Sequence, residues 1–224
     1  MKIAIVGYGK MGKEIEQIAI KRGHTIDLII DKENQSDLNA KNLSGIDVAI
    51  EFTTPATAFK NVKTCLLNGT HVVSGTTGWN ASLEEAKQIA NSGESAFFFA
   101  TNFSIGVNLF FKINAMLSRF INRLSGYEIS IEETHHTQKV DAPSGTAITL
   151  ADCISKEIAT LKGWTLLPEV KDEFIPVKSN RVGDVTGMHT VKYESEIDEI
   201  ILTHSAKNRK GFALGAVLAA EFCL

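Results

Sequence analysis

The sequence predicts a two-part α/β chain. A doubly wound parallel sheet is expected over about residues 1–104, and an α+β part with an open mixed sheet over about 105–207. Three observations carry this. Short strands that are apolar on both faces alternate with helix signals through the first hundred residues, the pattern of a parallel sheet covered on both sides. Near Ser104 the rhythm changes to long helices and a strand of period two. The length, 224 residues with 44% hydrophobic content, suits one to two domains with real cores.

The elements follow in order. Lys2–Val6 is a short apolar strand that runs into Gly7, and Met11–Lys21 has helical spacing with Ile15, Ile18 and Ala19 apolar. Thr25–Ile30 is the second strand, closed by Asp31, and Asp47–Phe52 the third. Thr53-Thr54-Pro55 marks a helix start, because proline is preorganised for the first turn and the threonine before it can cap. His71–Ser74 is the fourth strand and Ala96–Ala100 the fifth; between them Ser82 with Glu85 reads as a capping box. A long helix after Ser104 carries Leu109, Ile113, Met116, Phe120 and Leu124 on one stripe. Tyr127–Thr134 then alternates, with Tyr127, Ile129 and Ile131 on one face and Glu128, Ser130 and Glu132 on the other. A helix from Ser144 places Ala147, Ala151, Ile154, Ile158 and Leu161 together. Strand-like stretches follow near Phe174–Val177, Met188–Tyr193 and Ile197–His204. The tail, about 208–224, is apolar all round and is expected to pack back on the first part.

Charge and cysteine usage narrow the function. With 23 Lys+Arg against 26 Asp+Glu the net charge is -3, which argues against nucleic acid as a partner. No apolar run approaches the ~20 residues of a membrane span, and the N-terminus lacks the features of a signal peptide. The three cysteines, Cys65, Cys153 and Cys223, are widely spaced and fit free thiols in a reducing, cytoplasmic setting.

Gly7-Tyr8-Gly9-Lys10-Met11-Gly12 is a GxGxxG that follows a strand and opens a helix, and Asp31 ends the next strand 19 residues after Gly12. In that context it is a dinucleotide-binding fingerprint of a Rossmann domain. Gly7 permits the turn, Gly9 admits the pyrophosphate, Gly12 lets helix and strand pack, and the helix start supplies N–H groups. Asp31 suits the ribose hydroxyls of NAD, while Lys10 and Lys32 could pair with the extra phosphate of NADP, so NADH or NADPH is expected. Loops at Phe52-Thr53-Thr54-Pro55, Gly75-Thr76-Thr77-Gly78 and Ala100-Thr101-Asn102-Phe103-Ser104 leave the third, fourth and fifth strands at the same sheet edge and are expected near the nicotinamide.

The segment from Glu133 to Ala147 is the richest in chemistry. Adjacent His135 and His136 on extended backbone point to opposite sides and cannot share a metal, and no carboxylate or cysteine stands at a supporting spacing, so no metal is expected. One histidine facing a pocket is a proton donor. Lys139 and the helix start at Ser144-Gly145-Thr146 form a carboxylate site.

The run His135-His136-x-x-Lys139-x-Asp141-Ala142-Pro143-Ser144-Gly145-Thr146-Ala147 resembles the signature of the 4-hydroxy-tetrahydrodipicolinate reductase (dihydrodipicolinate reductase) family. The likeness extends through Gly7–Gly12, Glu51–Thr53, Gly75–Trp79, Asn102–Asn108 and Thr203 to Gly215; the chain stops at Leu224, earlier than such chains usually do. The resemblance implies a Rossmann domain with a substrate domain that forms a homotetramer. It implies NAD(P)H-dependent reduction of a cyclic dicarboxylate in lysine and diaminopimelate biosynthesis. It assigns proton donation to His135 and catalysis to Lys139. It places His136, Lys139, Ser144, Gly145 and Thr146 on the substrate, and Gly75, Thr77 and Ala100–Phe103 along the nicotinamide. Two other readings share the architecture: another two-domain NAD(P) dehydrogenase acting on an amino or keto acid, and a non-catalytic nucleotide sensor. The His135–Ala147 segment separates the first of these from the reductase, and turnover separates the second.

Overall fold

The computed structural model describes all residues, 1–224. The chain divides into two units, Met1–Ser104 with Arg209–Leu224, and Ile105–Asn208.

The first unit is built on five parallel strands: β1 (Lys2–Val6), β2 (Thr25–Ile30), β3 (Val48–Glu51), β4 (His71–Ser74) and β5 (Phe97–Phe99). Their order is β2-β1-β3-β4-β5, with Ile5 level with Ile50 and Ile50 level with Val73. The chain therefore steps outward from β1 to β2, then reverses across β1 to β3. The carboxyl ends of β1 and β3 flank that reversal, where open α/β sheets bind ligands. Helices α1 (Lys10–Lys21), α2 (Ala40–Leu43), α3 (Pro55–Leu67) and α4 (Leu83–Ser92) connect the strands. One core, under α3 and α4, gathers Ala4, Val6, Ala49, Val62, Val72 and Trp79. Trp79 is buried against Phe59, Phe97 and Phe99, and its indole N–H donates to the Thr76 carbonyl at 2.7 Å. The other core gathers Ile3, Ile5, Ile15, Val73 and Phe103 with Ala213, Ala216, Val217 and Ala220. The last four belong to the C-terminal helix, numbered α7 below, which packs on α1. Gly215 allows the close approach: a Cβ there would lie 1.7 Å from the Phe103 carbonyl oxygen.

The second unit holds α5 (Ile105–Ile121), β6 (Glu128–His135), α6 (Gly145–Glu157), β7 (Trp164–Leu166), β8 (Ile175–Arg181), β9 (Met188–Glu194) and β10 (Glu199–Ser205); α7 (Lys210–Phe222) follows in the chain. Its sheet runs β10-β9-β6-β8-β7. β6, β7 and β8 are parallel, while β9 and β10 run antiparallel to their neighbours, so the sheet is mixed as expected. Its core packs α6 (Ala147, Leu150, Ala151, Ile154) and Phe110 of α5 on Ile131, Val177, Val191 and Tyr193. The Tyr193 hydroxyl meets Asn114 Oδ1 at 2.7 Å and Ser118 Oγ at 2.8 Å, which pins α5 to the sheet by a polar contact in a dry interior.

Four local expectations need correction. Ser82 makes no side-chain cap; Asn80–Ser82 is a 3-10 turn, and Glu85 pairs instead with Lys63 at 3.0 Å. Thr54 caps nothing, because its hydroxyl meets the Thr57 hydroxyl at 3.0 Å. α6 ends at Glu157, so Leu161 lies beyond it. The α5 stripe Leu109, Ile113, Met116 and Phe120 faces outward and is exposed, as is Leu124 beyond the helix end at Ile121, while Val107, Phe110, Asn114, Ser118 and Ile121 face in. α5 is apolar on both sides, and spacing alone could not choose between them. β7, only three residues long, was not expected as a strand.

Candidate functional site

The first unit carries a cleft of about 330 Å³ at the β1/β3 reversal, lined by Gly7, Tyr8, Gly9, Asp31, Lys32 and Phe52 among others. The glycines behave as the motif requires. Gly7 has φ +100°, and a Cβ on it would sit 2.1 Å from the Phe52 carbonyl oxygen. A Cβ on Gly12 would sit 2.3 Å from the Gly7 carbonyl oxygen, so helix and turn touch backbone to backbone. A Cβ on Gly9 would meet nothing, and no side chain caps α1 there. Its first-turn N–H groups are left for another acceptor, which is the requirement of a pyrophosphate site. Asp31 stands at the end of β2, where its carboxylate accepts the Lys32 backbone N–H at 2.8 Å. The Lys32 side chain is drawn 3.6 Å from Glu33, and both are exposed.

A neighbouring surface is lined by Gly9, Lys10, Met11, Phe52, Gly75, Thr76 and Thr77. It joins the glycine loop to the loops after β3 and β4. Glu51, which is buried, organises those two loops. Its carboxylate accepts the Thr53 N–H (3.0 Å), the Ser74 hydroxyl (2.6 Å), the Thr76 hydroxyl (2.8 Å) and the Thr53 hydroxyl. The Thr76 hydroxyl in turn accepts the Thr53 N–H at 2.7 Å. The Thr76 hydroxyl thus serves the loop scaffold, while backbone and Thr77 line the surface. Of the third loop, Ala100 and Phe103 pack in the core beside Phe52, and Asn102 Oδ1 accepts the Ser104 N–H at 2.9 Å. These three do not line either cleft within this unit.

The second unit holds the remaining residues singled out in the sequence. His135 ends β6 and is buried, and His136 lies one residue beyond the strand. The groups that do join His135 are Glu133, two residues earlier on the same strand face, and His189 of β9. The His135 and His189 rings meet edge to face at 4.9 Å. Glu133 is wholly buried. It accepts the Ser144 N–H on both oxygens (3.1 and 3.0 Å), the Ser179 hydroxyl (2.8 Å) and the Arg181 guanidinium (3.4 Å). Burial alone would raise its pKa; hydrogen bonds from His189, Ser144 and Ser179 reverse this and hold it well below the usual carboxylate range. His135 is pushed down to about 4, first by burial and then by His189, with Lys139 and Arg181 adding and Glu133 opposing. It is therefore neutral at pH 7 in the free protein, not poised there as the sequence suggested.

A supporting carboxylate thus does exist beside His135, contrary to the sequence reading. The ligand-type atoms of Glu133, His135 and His189 lie within 4.8 Å of one another. The Glu133 oxygens are already engaged by three donors, one of them a cation, so this chemistry is that of a hydrogen-bonded network.

Lys139 and the helix start lie nearby in the chain. Lys139 bridges to Asp141 at 2.8 Å, and Arg181 holds their loop through the Lys139 carbonyl at 3.2 Å and the Asp141 carbonyl. Ser144 is the N-cap of α6, its hydroxyl accepting the Ala147 N–H at 3.2 Å and meeting His189 Nε2 at 3.1 Å. A Cβ on Gly145 would meet nothing within 4 Å, so the backbone there is open to a ligand, and Thr146 is buried beside it. Arg181, His189, Ser179 and Glu133 are the residues that sequence reading missed. One signal was present for Glu133: the alternation that turns Tyr127, Ile129 and Ile131 inward also turns residues 133 and 135 inward.

Comparison with known proteins places this arrangement. Residues 1–103 match the family model described as dihydrodipicolinate reductase, N-terminus, and residues 106–224 its C-terminus. A protein of Christiangramia forsetii named 4-hydroxy-tetrahydrodipicolinate reductase is 49% identical, over 99% of this chain and 92% of its own. A protein of the same name from Lawsonia intracellularis is 32% identical over 100% and 94%. A dipicolinate-bound dihydrodipicolinate reductase from Paenisporosarcina sp. TG-14 superposes with TM-score 0.78 at 26% identity, over 99% of this chain and 93% of that one. GenD2 from gentamicin A biosynthesis, at 10% identity and TM-score 0.66, shares the fold. With both halves of the family model matched and a near full-length relative at 49% identity, the chain belongs to the dihydrodipicolinate reductase family.

Proposed function

We propose that this protein reduces 4-hydroxy-tetrahydrodipicolinate to tetrahydrodipicolinate, with loss of water, using NADH or NADPH, in lysine and diaminopimelate biosynthesis. The full-length 49% relative of that name carries the reading, and the site supports it. Residues Gly7, Tyr8, Gly9, Lys10, Met11 and Gly12 would hold the pyrophosphate, Asp31 and Lys32 the adenosine ribose, and Phe52, Gly75, Thr76, Thr77, Ala100, Asn102 and Phe103 the nicotinamide side. When bound, the dinucleotide supplies a hydride.

The chain's own residues do the rest. Lys139 and the α6 start at Ser144, Gly145 and Thr146, with His136, grip the two carboxylates of the substrate through a cation and N–H donors. Hydride addition to a conjugated imine–alkene leaves carbanion character that must be quenched, and His135 delivers that proton. His135 is neutral in the free protein, so the arriving dianion must first raise its pKa enough for the ring to take up a proton from solvent. Two negative charges beside the ring favour its charged form, opposing Lys139 and Arg181. The exposed apolar stripe on α5 supports the expectation of a homotetramer, and three unpaired cysteines support a cytoplasmic setting. No helix is long and apolar enough to cross a membrane.

The test is oxidation of NADH and NADPH on addition of freshly made cyclic substrate. Turnover is expected with the wild type, and Lys139→Ala should lower both kcat and substrate affinity. Nucleotide binding without turnover would point to a sensor, and turnover of amino or keto acids in place of the cyclic substrate to another dehydrogenase.

A further inference from the structure

We propose that Glu133 is a positioning residue of the reductase: it fixes His135 in the Nδ1–H tautomer and, through the Ser144 N–H, holds the start of α6 in register with it. The proposal rests on reading His135 as the proton donor.

The geometry points to Glu133 from both sides. Its Oε2 lies 3.7 Å from His135 Nδ1 and 3.6 Å from His189 Nε2. Buried Nδ1 has no hydrogen-bond partner in the free protein. A buried ring nitrogen without a partner costs free energy, and this carboxylate oxygen is an acceptor a fraction of an ångström beyond bonding distance. Catalytic contacts of this kind often tighten only when substrate closes the site. With Nδ1–H turned to Glu133, Nε2 becomes the atom that carries and releases the proton. The Nε2 edge is the one left uncovered by Gly187, where a Cβ would press to 3.2 Å.

The same carboxylate takes the Ser144 N–H on both oxygens, and Ser144 caps α6. Ser179 and Arg181 of β8 fix it from the far side. One group thereby couples the donor on β6 to the anion-binding turn of α6, so that ring and substrate carboxylate stand in fixed relation. It accepts from three donor residues, Ser144, Ser179 and Arg181, which is more than a buried carboxylate needs to be tolerated. The titratable and charged groups facing His135 are Glu133, His189, Lys139 and Arg181.

The test uses the full-length protein. Nitrogen-15 histidine spectra of the wild type, with His135 assigned from its absence in His135→Asn, should show the Nδ1–H form in the free protein at pH 7, where the ring is neutral, and both nitrogens protonated when dipicolinate is bound. Glu133→Gln keeps the shape and removes the charge. It should lower kcat roughly 10–100-fold, move the alkaline limb of the kcat–pH profile to lower pH, shift the His135 tautomer, and leave NADH affinity within about twofold. An Nε2–H form in the wild type overturns the proposal, even where Glu133→Gln fails to fold. So does Glu133→Gln with unchanged kcat and pH profile. His135→Asn separates the two layers: unchanged kcat there removes the donor reading and the proposal with it. A defect in His135→Asn beside an undisturbed Glu133→Gln overturns the proposal alone.

Discussion

Replacing Gly215 with alanine sets two effects of opposite sign against each other. Alanine is the better residue in a helix interior by about 1 kcal/mol, so on propensity alone Gly215→Ala melts higher than the wild type. Geometry gives the reverse. The new Cβ would lie 1.7 Å from the Phe103 carbonyl oxygen and 2.8 Å from its carbonyl carbon. Comfortable carbon contacts begin near ~3.5 Å, so α7 must lift by roughly 1.5–2 Å. The obstacle is main chain and cannot swing aside. Lifting separates Ala213, Ala216, Val217 and Ala220, all fully buried, from the rest of their core. Such overpacking costs up to about 3 kcal/mol, which leaves a net loss of about 2 kcal/mol after the propensity gain. For a chain of this size that is a Tm lower by about 4–8 °C. Gly211→Ala is the internal control, on the same helix: its Cβ would stand 3.7 Å from Ser104 Oγ, an ordinary contact, and its Tm should stay within about 2 °C of wild type or rise. Thermal unfolding followed by circular dichroism reads both. A Gly215→Ala melt at or above wild type would refute the packing argument.

Three further outcomes are expected. Between pH 6.5 and 4 the unfolded chain binds a proton at His135 that the folded chain refuses, so this group makes stability fall as pH falls through that window. Urea melts at pH 7 and pH 5 should show a smaller loss in His135→Asn than in wild type, and equal losses would contradict the burial of a neutral imidazole. Binding of dipicolinate at pH 7 should take up a proton, seen as a binding enthalpy that tracks the ionisation enthalpy of the buffer; a buffer-independent enthalpy contradicts the charging of His135. Asp31→Ala should raise the ratio of kcat/KM for NADPH over NADH by about tenfold, the worth of one close like-charge repulsion near the surface; an unchanged ratio removes Asp31 from the ribose site.

Much of the fold was legible because it is written locally. The glycine turn, Asp31 at the end of β2 and the Ser144 cap each declare themselves within a few residues. The period-two alternation of β6 placed its faces. Other features depend on pairings that no local window contains. Ser179 and Arg181 reach Glu133 because β8 lies parallel beside β6, with His135 level with Arg181, and His189 because β9 runs antiparallel on the other side, level with Glu133. Those registers bring together residues 46 and 48 positions apart. The Ser82–Glu85 pattern failed for a related reason: Lys63 of α3 stands opposite and takes the carboxylate that a box would use. The outward stripe of α5 was hidden because a helix apolar on both sides carries no local mark of which side is buried.

The indole buried under β5 has a practical consequence. The chain has two tryptophans, Trp79 in the first unit and Trp164 in the second, so each unit contains its own fluorophore. Trp79 is surrounded by aromatic rings and tethered to the carbonyl of Thr76, in the loop that follows β4. Its emission will redden when that loop opens or its core wets, while Trp164→Phe silences the second signal. Paired single-tryptophan variants therefore allow the melting of each half, and the response of the glycine-side cleft to a dinucleotide, to be followed optically in the intact molecule without any added dye.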